Sequence, residues 1–197
     1  GYGSAKRMSR GHGIVVLPTS EKLISLSQRA VDELVKDVWD YQFGRLSVSG
    51  QLVKTAIRQK QHLLSPTDEM ELIRDALQVC PDSAARIIIT EQGLHDNWFS
   101  HWHQNQQSAV ASINHWDSLS QVSPVAFIGY EILLNGIHTL SPKFDLLRIA
   151  HKETRGCLFD LCEDKKDAEI KLQTMDVCSN CRDELTYMGI DYKIIVN

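Results

Sequence analysis

The sequence predicts an α/β (α+β) fold in which helices pack on a mixed sheet and a metal ion ties down the C-terminal part of the chain. Three observations predict it. Short apolar segments with strand character alternate along the chain with amphipathic helical segments. Four of the five cysteines fall into two close pairs in the last quarter of the sequence. The 197 residues are 43% hydrophobic and 23% charged, a composition that supports a globular core.

The first half of the chain alternates between the two kinds of element. The apolar run 14–17 predicts a buried strand, and apolar residues at helical spacing predict a helix over about 21–40. The segment 46–48 fits either a strand or a loop. A second helix is expected near 51–62. The capping signal Ser-Pro-Thr-Asp-Glu predicts a third helix over 65–80.

The second half continues the pattern. The run 86–90 predicts an apolar strand, and the polar and aromatic segment 91–106 follows it. Alternating side chains predict another strand over 109–116. A proline opens a long apolar helix over 124–140, and the segment 192–196 reads as a closing strand.

The two cysteine pairs have the spacing of zinc ligands. Cys157 and Cys162 are followed, after 15 residues, by Cys178 and Cys181. Two close pairs joined by a short helical stretch can supply four thiolates to one tetrahedral Zn²⁺ per chain, and a site without an open position is structural. An iron–sulfur cluster or four unconnected buried thiols are the alternatives. The remaining Cys80 is expected to be an inert buried thiol.

Composition excludes several classes of protein. The net charge is −4, so no broad basic surface is available for nucleic acid, and no apolar run approaches the roughly 18–20 residues that cross a bilayer. No signal peptide is visible, which together with an odd number of cysteines favours a reducing cytoplasm. We expect 1–13 to be an N-terminal tail, with 1–4 vector-derived, and 14–197 to be a single domain whose zinc-binding segment is 151–185.

These motifs resemble the archaemetzincins, which are metzincin-type zinc peptidases. The spacing Cys157-x4-Cys162 and Cys178-x2-Cys181 is similar to the cysteine quartet that holds their second, structural zinc. The strand 87–90 resembles the family's strand leading to its T-x-x-D-L turn, and 109–113 resembles the edge strand that lines the substrate cleft. The helix 125–140 lies where the zinc-binding helix would lie. The resemblance implies a zincin-like fold over 86–185.

The catalytic motif of the family is absent from this sequence. The helix that would carry H-E-x-x-H contains Glu131 and His138, seven residues apart, and no second histidine four residues from either. Gly156 occupies the position of the third zinc histidine, just before Cys157. Zinc hydrolysis needs three protein ligands, an open position for water and a base. We therefore expect a metzincin-like pseudoenzyme that binds zinc and serves as a binding or regulatory module.

Two further groups of histidines keep alternatives open. His151 could replace one thiolate as a zinc ligand or support a sulfur from outside, and Arg155 could offset the charge of the thiolates. A second cluster could form a relocated catalytic zinc site, which would make the chain a zinc-dependent peptidase with unconventional ligands. Its candidate ligands are His95, His101, His103 and His115, and its candidate bases are Glu91, Asp96 and Glu131. The simpler expectation is a surface segment with solvated histidines.

The sequence also suggests a partner surface. Four aromatic side chains concentrate in one stretch and could line a cleft for a peptide or protein partner, although core packing is the commoner use. They are Trp98, Phe99, Trp102 and Trp116. The mixed charges from Asp160 to Lys171 read as a solvated helix face. A zinc-dependent nucleic-acid module is disfavoured by the acidic balance, and the oligomeric state stays open.

Overall fold

A mixed five-stranded sheet organises the described part of the chain. The computed structural model describes residues 13–34, 45–54, 63–114, 116 and 122–194. Over these ranges the strand order is β2-β1-β3-β5-β4. The strands β2, β1, β3 and β5 run parallel, and β4 pairs antiparallel with β5 at one edge. Among the described residues, no helix has both the length and the apolar composition that a membrane span requires.

Within the described ranges, five strands and six α-helices build this architecture. The strands are β1 (Ile14–Pro18), β2 (Leu46–Val48), β3 (Ala85–Thr90), β4 (Ser100–His103) and β5 (Ser108–Ser112). The helices are α1 (Glu21–Leu34), α2 (Pro66–Val79), α3 (Pro124–Gly136), α4 (Leu146–Ile149), α5 (Ala168–Thr174) and α6 (Ser179–Tyr187).

The sheet separates two apolar cores. Ile87 and Ile89 of β3 point to one face, where they belong to a large core with residues of α1, α3 and the C-terminal segment. Ile88 points to the other face and packs with Leu72 and Ile73 of α2. All six residues of β3 are buried, as expected of a parallel strand covered on both sides. Helices therefore cover both faces of the sheet.

Local sequence signals explain where two of the helices begin. The Ser65 hydroxyl accepts the backbone N–H of Asp68, and the Asp68 carboxylate accepts the backbone N–H of Ser65. This reciprocal cap and Pro66 at the first turn fix the start of α2. The Ser123 hydroxyl accepts the backbone N–H of Val125 at the start of α3 in the same way, again followed by a proline.

The structure agrees with most sequence predictions and departs from several. A strand over 100–103 was missed, and it is β4, not 109–113, that lies at the described edge of the sheet. The predicted strand 109–116 ends at Ser112. Of the predicted closing strand 192–196, the described residues Tyr192–Ile194 form a 3-10 helix instead of a strand. The segments 35–40 and 55–62, predicted as helical, lie outside the described residues, and 51–54 is not helical.

Candidate metal centre

Four side chains converge beside α6 in a group that could hold a metal ion. They are His151, Cys157, Cys178 and Cys181, and their ligand atoms all lie within 4.8 Å of one another. Cys157 and Cys181 are buried, while Cys178 and His151 are partly exposed. One imidazole nitrogen and three sulfurs are a complete ligand set for tetrahedral Zn²⁺.

Backbone pairing brings the two ends of this site together. Cys178 is the residue before the first turn of α6, and Cys181 lies within that turn, so both sulfurs face the same side. The N–H of Leu158 donates to the carbonyl O of Asp176 at 2.8 Å, which holds the Cys157 loop against the start of α6. The C-x-x-C pair thus meets a thiol that lies more than twenty residues earlier in the chain.

A buried carboxylate shapes the loop that carries Cys157. Asp160 is 3% exposed, and its carboxylate accepts the backbone N–H groups of Arg155 and Cys157, each at 3.1 Å. Gly156 lies between these two donors with φ of +71°, a left-handed conformation that favours glycine. The position that would carry the third histidine of a metzincin therefore serves here as a tight turn.

His151 is oriented as a zinc ligand should be. Its Nδ1 donates to the carbonyl O of Glu153 at 2.9 Å, which leaves the lone pair on Nε2. Nε2 lies 3.5 Å from Sγ of Cys178. A hydrogen bond from the second ring nitrogen to a carbonyl is the usual support of a metal-bound histidine.

Hydrogen bonds prepare the sulfur of Cys157 to act as a thiolate. A hydrogen bond from Cys181, together with the N–H groups of Cys178 and Phe159, lowers the pKa of Cys157 to about 5. The same contact with Cys157 raises the pKa of Cys181, because a second negative charge is unfavourable beside the first. A divalent ion would remove this repulsion. Arg155 Nη1 lies 3.7 Å from Sγ of Cys178 and supplies the compensating charge that the sequence suggested.

Cys162, predicted as the fourth ligand, is not part of this group. It is buried, it adopts a left-handed φ of +51°, and burial raises the pKa of its thiol. Among the described residues, the ligand atoms that meet are those of three predicted cysteines and His151, which the sequence had left open as an alternative. A site with all four positions filled by protein has no place for substrate and is structural.

The central helix α3 offers neither a metal ligand nor a base. Glu131 is fully buried, and burial raises the pKa of its carboxyl well above the usual value. His138 lies just past the end of α3. Its ring stacks on Trp102 with centroids 4.7 Å apart and meets the edge of Phe144 at 4.8 Å. Burial lowers the pKa of His138 to about 4, so the imidazole is neutral.

The predicted second histidine cluster does form, around a residue that the sequence reasoning missed. Glu69 of α2 is 1% exposed, and its carboxylate contacts His95, His101 and His103. Glu69, His95 and His101 form the second group that could hold a metal ion. Glu69 shares the buried face of α2 with Leu72 and Ile73, and a carboxylate at an apolar helical position was the signal available in the sequence.

Of the other candidate residues, Asp96 contacts the cluster. Asp96 accepts a hydrogen bond from Nε2 of His101 at 2.7 Å. Glu91, a candidate base, lies 3.9 Å from the ammonium of Lys22. His115 lies outside the described residues.

A cavity of about 200 Å³ lies between β4, α3 and the segment that carries the metal centre. Trp98 is 41% exposed at this cavity, whereas Phe99 is 7% exposed. Trp102 stacks on His138, and Trp116 lies under the ammonium of Lys22. The four predicted aromatic residues are thus divided between cavity and packing roles.

The predicted solvated face from Asp160 to Lys171 is wrong at both of its ends. Lys171 is 1% exposed, and its Nζ donates to Tyr130 Oη at 2.7 Å and to the carbonyl O of Asp160 at 2.9 Å. The ammonium replaces its lost water contacts with these two acceptors. Lys171 therefore joins α3 to the metal-bearing loop and lines the cavity.

Comparison with known proteins supports the fold. No family model matches the sequence, and no curated protein matches it. A crystal structure of archaemetzincin from Methanopyrus kandleri at 1.5 Å resolution is similar, with 13% sequence identity and a TM-score of 0.54. The match covers 93% of this chain and 98% of the archaemetzincin chain. At this identity the likeness shows a shared fold, and it confirms the zincin-like mixed sheet packed on helices.

The two candidate fourth ligands can be separated by substitution. We expect His151→Ala and Cys178→Ser to lose about one zinc per chain and to melt at lower temperature, because an incomplete ligand set binds weakly. Cys162→Ser should keep its zinc, as should the control Cys80→Ser. Mass spectrometric metal analysis and thermal unfolding with and without a chelator measure both quantities. Zinc loss in Cys162→Ser, with zinc retained in His151→Ala, would restore the four-cysteine ligand set.

Proposed function

We propose that this chain is a zincin-like domain without peptidase activity, in which one structural Zn²⁺ orders a cavity that binds an extended peptide segment of a protein partner. It would act as a binding or regulatory module, in a reducing compartment such as the cytoplasm, where the three thiols stay available for zinc. The evidence for the proposal comes from α3, the metal centre and the edge of the sheet.

The observation that carries the proposal is the state of α3. The one carboxyl group of this helix, Glu131, is fully buried, so solvent water does not reach it as it must reach a general base. His138 is held between Trp102 and Phe144 as a packing residue. A hydrolytic zinc needs three ligands and a base around an open position. The described part of this helix supplies none of them.

The metal centre supports the binding role through the walls of the cavity. Ala150, Leu158 and Phe159 line the cavity, and they lie next to His151 and Cys157 in sequence. Zinc bound by these ligands and by the start of α6 would fix this wall against α3. Loss of the ion would therefore disturb the cavity as well as the stability of the domain.

The edge strand supports a peptide as the occupant. In the described sheet, β4 pairs with β5 on one side, and its other side borders the cavity through Ser100 and His101. An extended peptide can add to such an edge through main-chain hydrogen bonds and place a side chain in a neighbouring pocket. The pocket is mainly apolar, with the exposed Leu147 at its rim. We therefore propose that it selects a large apolar side chain.

Peptide binding can be tested with a matched pair of variants. A displayed library of random peptides, selected on the zinc-loaded protein, should enrich segments with a large apolar residue. Leu147→Ala should weaken the selected peptides by about tenfold, since burying such a side chain contributes roughly 1.5–3 kcal/mol. Ile170→Ala, which removes an exposed apolar side chain that does not line the cavity, should leave affinity unchanged. Chelation should abolish binding.

Two outcomes of this experiment would contradict the proposal. The first is equal affinity for the selected peptides in the wild-type protein and in Leu147→Ala, which would place the binding surface elsewhere. The second is cleavage of the bound peptides that stops on chelation, which would make the chain a peptidase with unconventional ligands.

The packing role of His138 gives a pH dependence with a defined sign. Its pKa is lowered to about 4 by burial, whereas the unfolded value is 6.5. The unfolded state therefore binds more protons between these values, and stability falls as the pH falls through this window, by up to about 3 kcal/mol. His138→Phe keeps a ring on Trp102 but cannot titrate. We expect urea unfolding at about pH 7 and about pH 4.5 to show a smaller stability loss for this variant. Identical losses would show that the imidazole is not buried.

A further inference from the structure

We propose that Glu69, His95 and His101 form a second divalent metal site, distinct from the thiolate centre, with an open position beside His103. The site lies where α2, the loop after β3 and the edge strand β4 meet. Its ligand set is two imidazoles and one carboxylate, which suits Zn²⁺ and related transition metals.

The distances between the donor atoms suit a common ion. Oε2 of Glu69 lies 3.0 Å from Nδ1 of His101 and 3.5 Å from Nδ1 of His95. Ligands bonded at 2.0–2.1 Å in a tetrahedron are about 3.3 Å apart, so these separations need little adjustment. The ligand atoms of all three residues lie within 4.8 Å of one another. His103 Nε2 is 3.4 Å from Oε1 of Glu69 and faces the same space.

The burial of Glu69 gives the site its charge. The carboxylate is 1% exposed, and in the described part of the chain its ionic partners are histidine rings, with no lysine or arginine among them. A buried carboxylate is costly unless a positive charge compensates it. A neutral histidine ring carries no charge. The positive charge that compensates the carboxylate must therefore come from a proton on one of the three rings or from a bound metal ion.

Asp96 supports His101, a proposed metal ligand, from the side of the ring that faces away from Glu69. His101 faces Glu69 with Nδ1 and donates to Asp96 with Nε2 at 2.7 Å. A carboxylate on the far nitrogen fixes the ring of a metal-bound histidine and raises its basicity. The Asp96 carboxylate also accepts the N–H of Trp98, which holds it in place. Asp96 is thus a positioning residue for His101.

The site is open to solvent and lies at the edge strand, where His101 and Asp96 also line the cavity. Side-chain exposure is 41% for His95, 22% for His101 and 25% for His103, so an ion can enter from solution. Side chains alternate along β4. Trp102 packs into the core that contains α3, whereas His101 and His103 reach Glu69 on α2, which covers the opposite face. The proposed site therefore lies on the α2 side of β4, and His101 joins it to the rim of the cavity.

Metal titration of the full-length chain tests this site. The protein is first loaded with one equivalent of Zn²⁺ to fill the thiolate centre, and Zn²⁺ or Co²⁺ alone is then titrated in by calorimetry. We expect a second ion to bind at about one per chain. Glu69→Gln and His95→Ala should abolish this second event, and Asp96→Asn should weaken it by about 10–100-fold. The partly exposed His95 makes His95→Ala the variant least able to disturb folding.

The control and the readout separate this site from the thiolate centre. His138→Phe, on the other face, should bind the second ion like the wild type. Co²⁺ in the proposed site should lack the sulfur-to-metal charge-transfer band of Co²⁺ at the thiolate centre, so failure of either site is seen independently. The proposal is overturned if the folded wild-type protein binds only one ion. It is also overturned if a second ion binds equally well to Glu69→Gln and His95→Ala.

Discussion

The approach of three sulfurs and one imidazole to within 4.8 Å is the constraint on which the C-terminal third of the structure depends. Without an ion, Cys157 and Cys181 would compete for a single proton, as the opposite directions of their pKa shifts show. When Zn²⁺ binds, both sulfurs coordinate the ion as thiolates, and its positive charge compensates their repulsion. The free energy of zinc binding then contributes to the free energy of folding. The cavity wall is attached to these ligands, so the metal centre and the proposed binding site are physically one unit.

Side chains alternate along β4, so this strand places different functional groups on the two faces of the sheet. Trp102 points toward α3 and stacks on His138, which lies just past the end of that helix. His101 points the other way and meets the buried carboxylate of Glu69. The two faces of this zincin-like sheet thus carry different polar groups. The described α3 packs in the core, and the second cluster of potential metal ligands lies on the α2 side of the sheet.

Sequence reasoning predicted the strands β1, β3 and β5, the helices α2 and α3, and three of the four converging metal-ligand side chains, because periodicity and cysteine spacing are local signals. It predicted Cys162 as the fourth ligand and kept His151 as an alternative, because which of the two side chains reaches the other three depends on backbone direction. Cys162 adopts a φ of +51°, and the Asp160 carboxylate sets the loop beside His151. The strand β4 was missed because its Ser-His-Trp-His sequence lacks apolar alternation. Glu69 was missed because its partners are about thirty residues away in sequence.

The most direct test of the central claim is X-ray absorption spectroscopy at the zinc edge on protein that carries one zinc per chain. The account predicts a first coordination shell of three sulfur atoms and one imidazole nitrogen, with bonds near 2.3 Å and about 2.0 Å. A shell of four sulfur atoms would show that Cys162, rather than His151, completes the site. A shell of nitrogen and oxygen atoms alone would contradict the thiolate centre and the proposed order of the cavity with it.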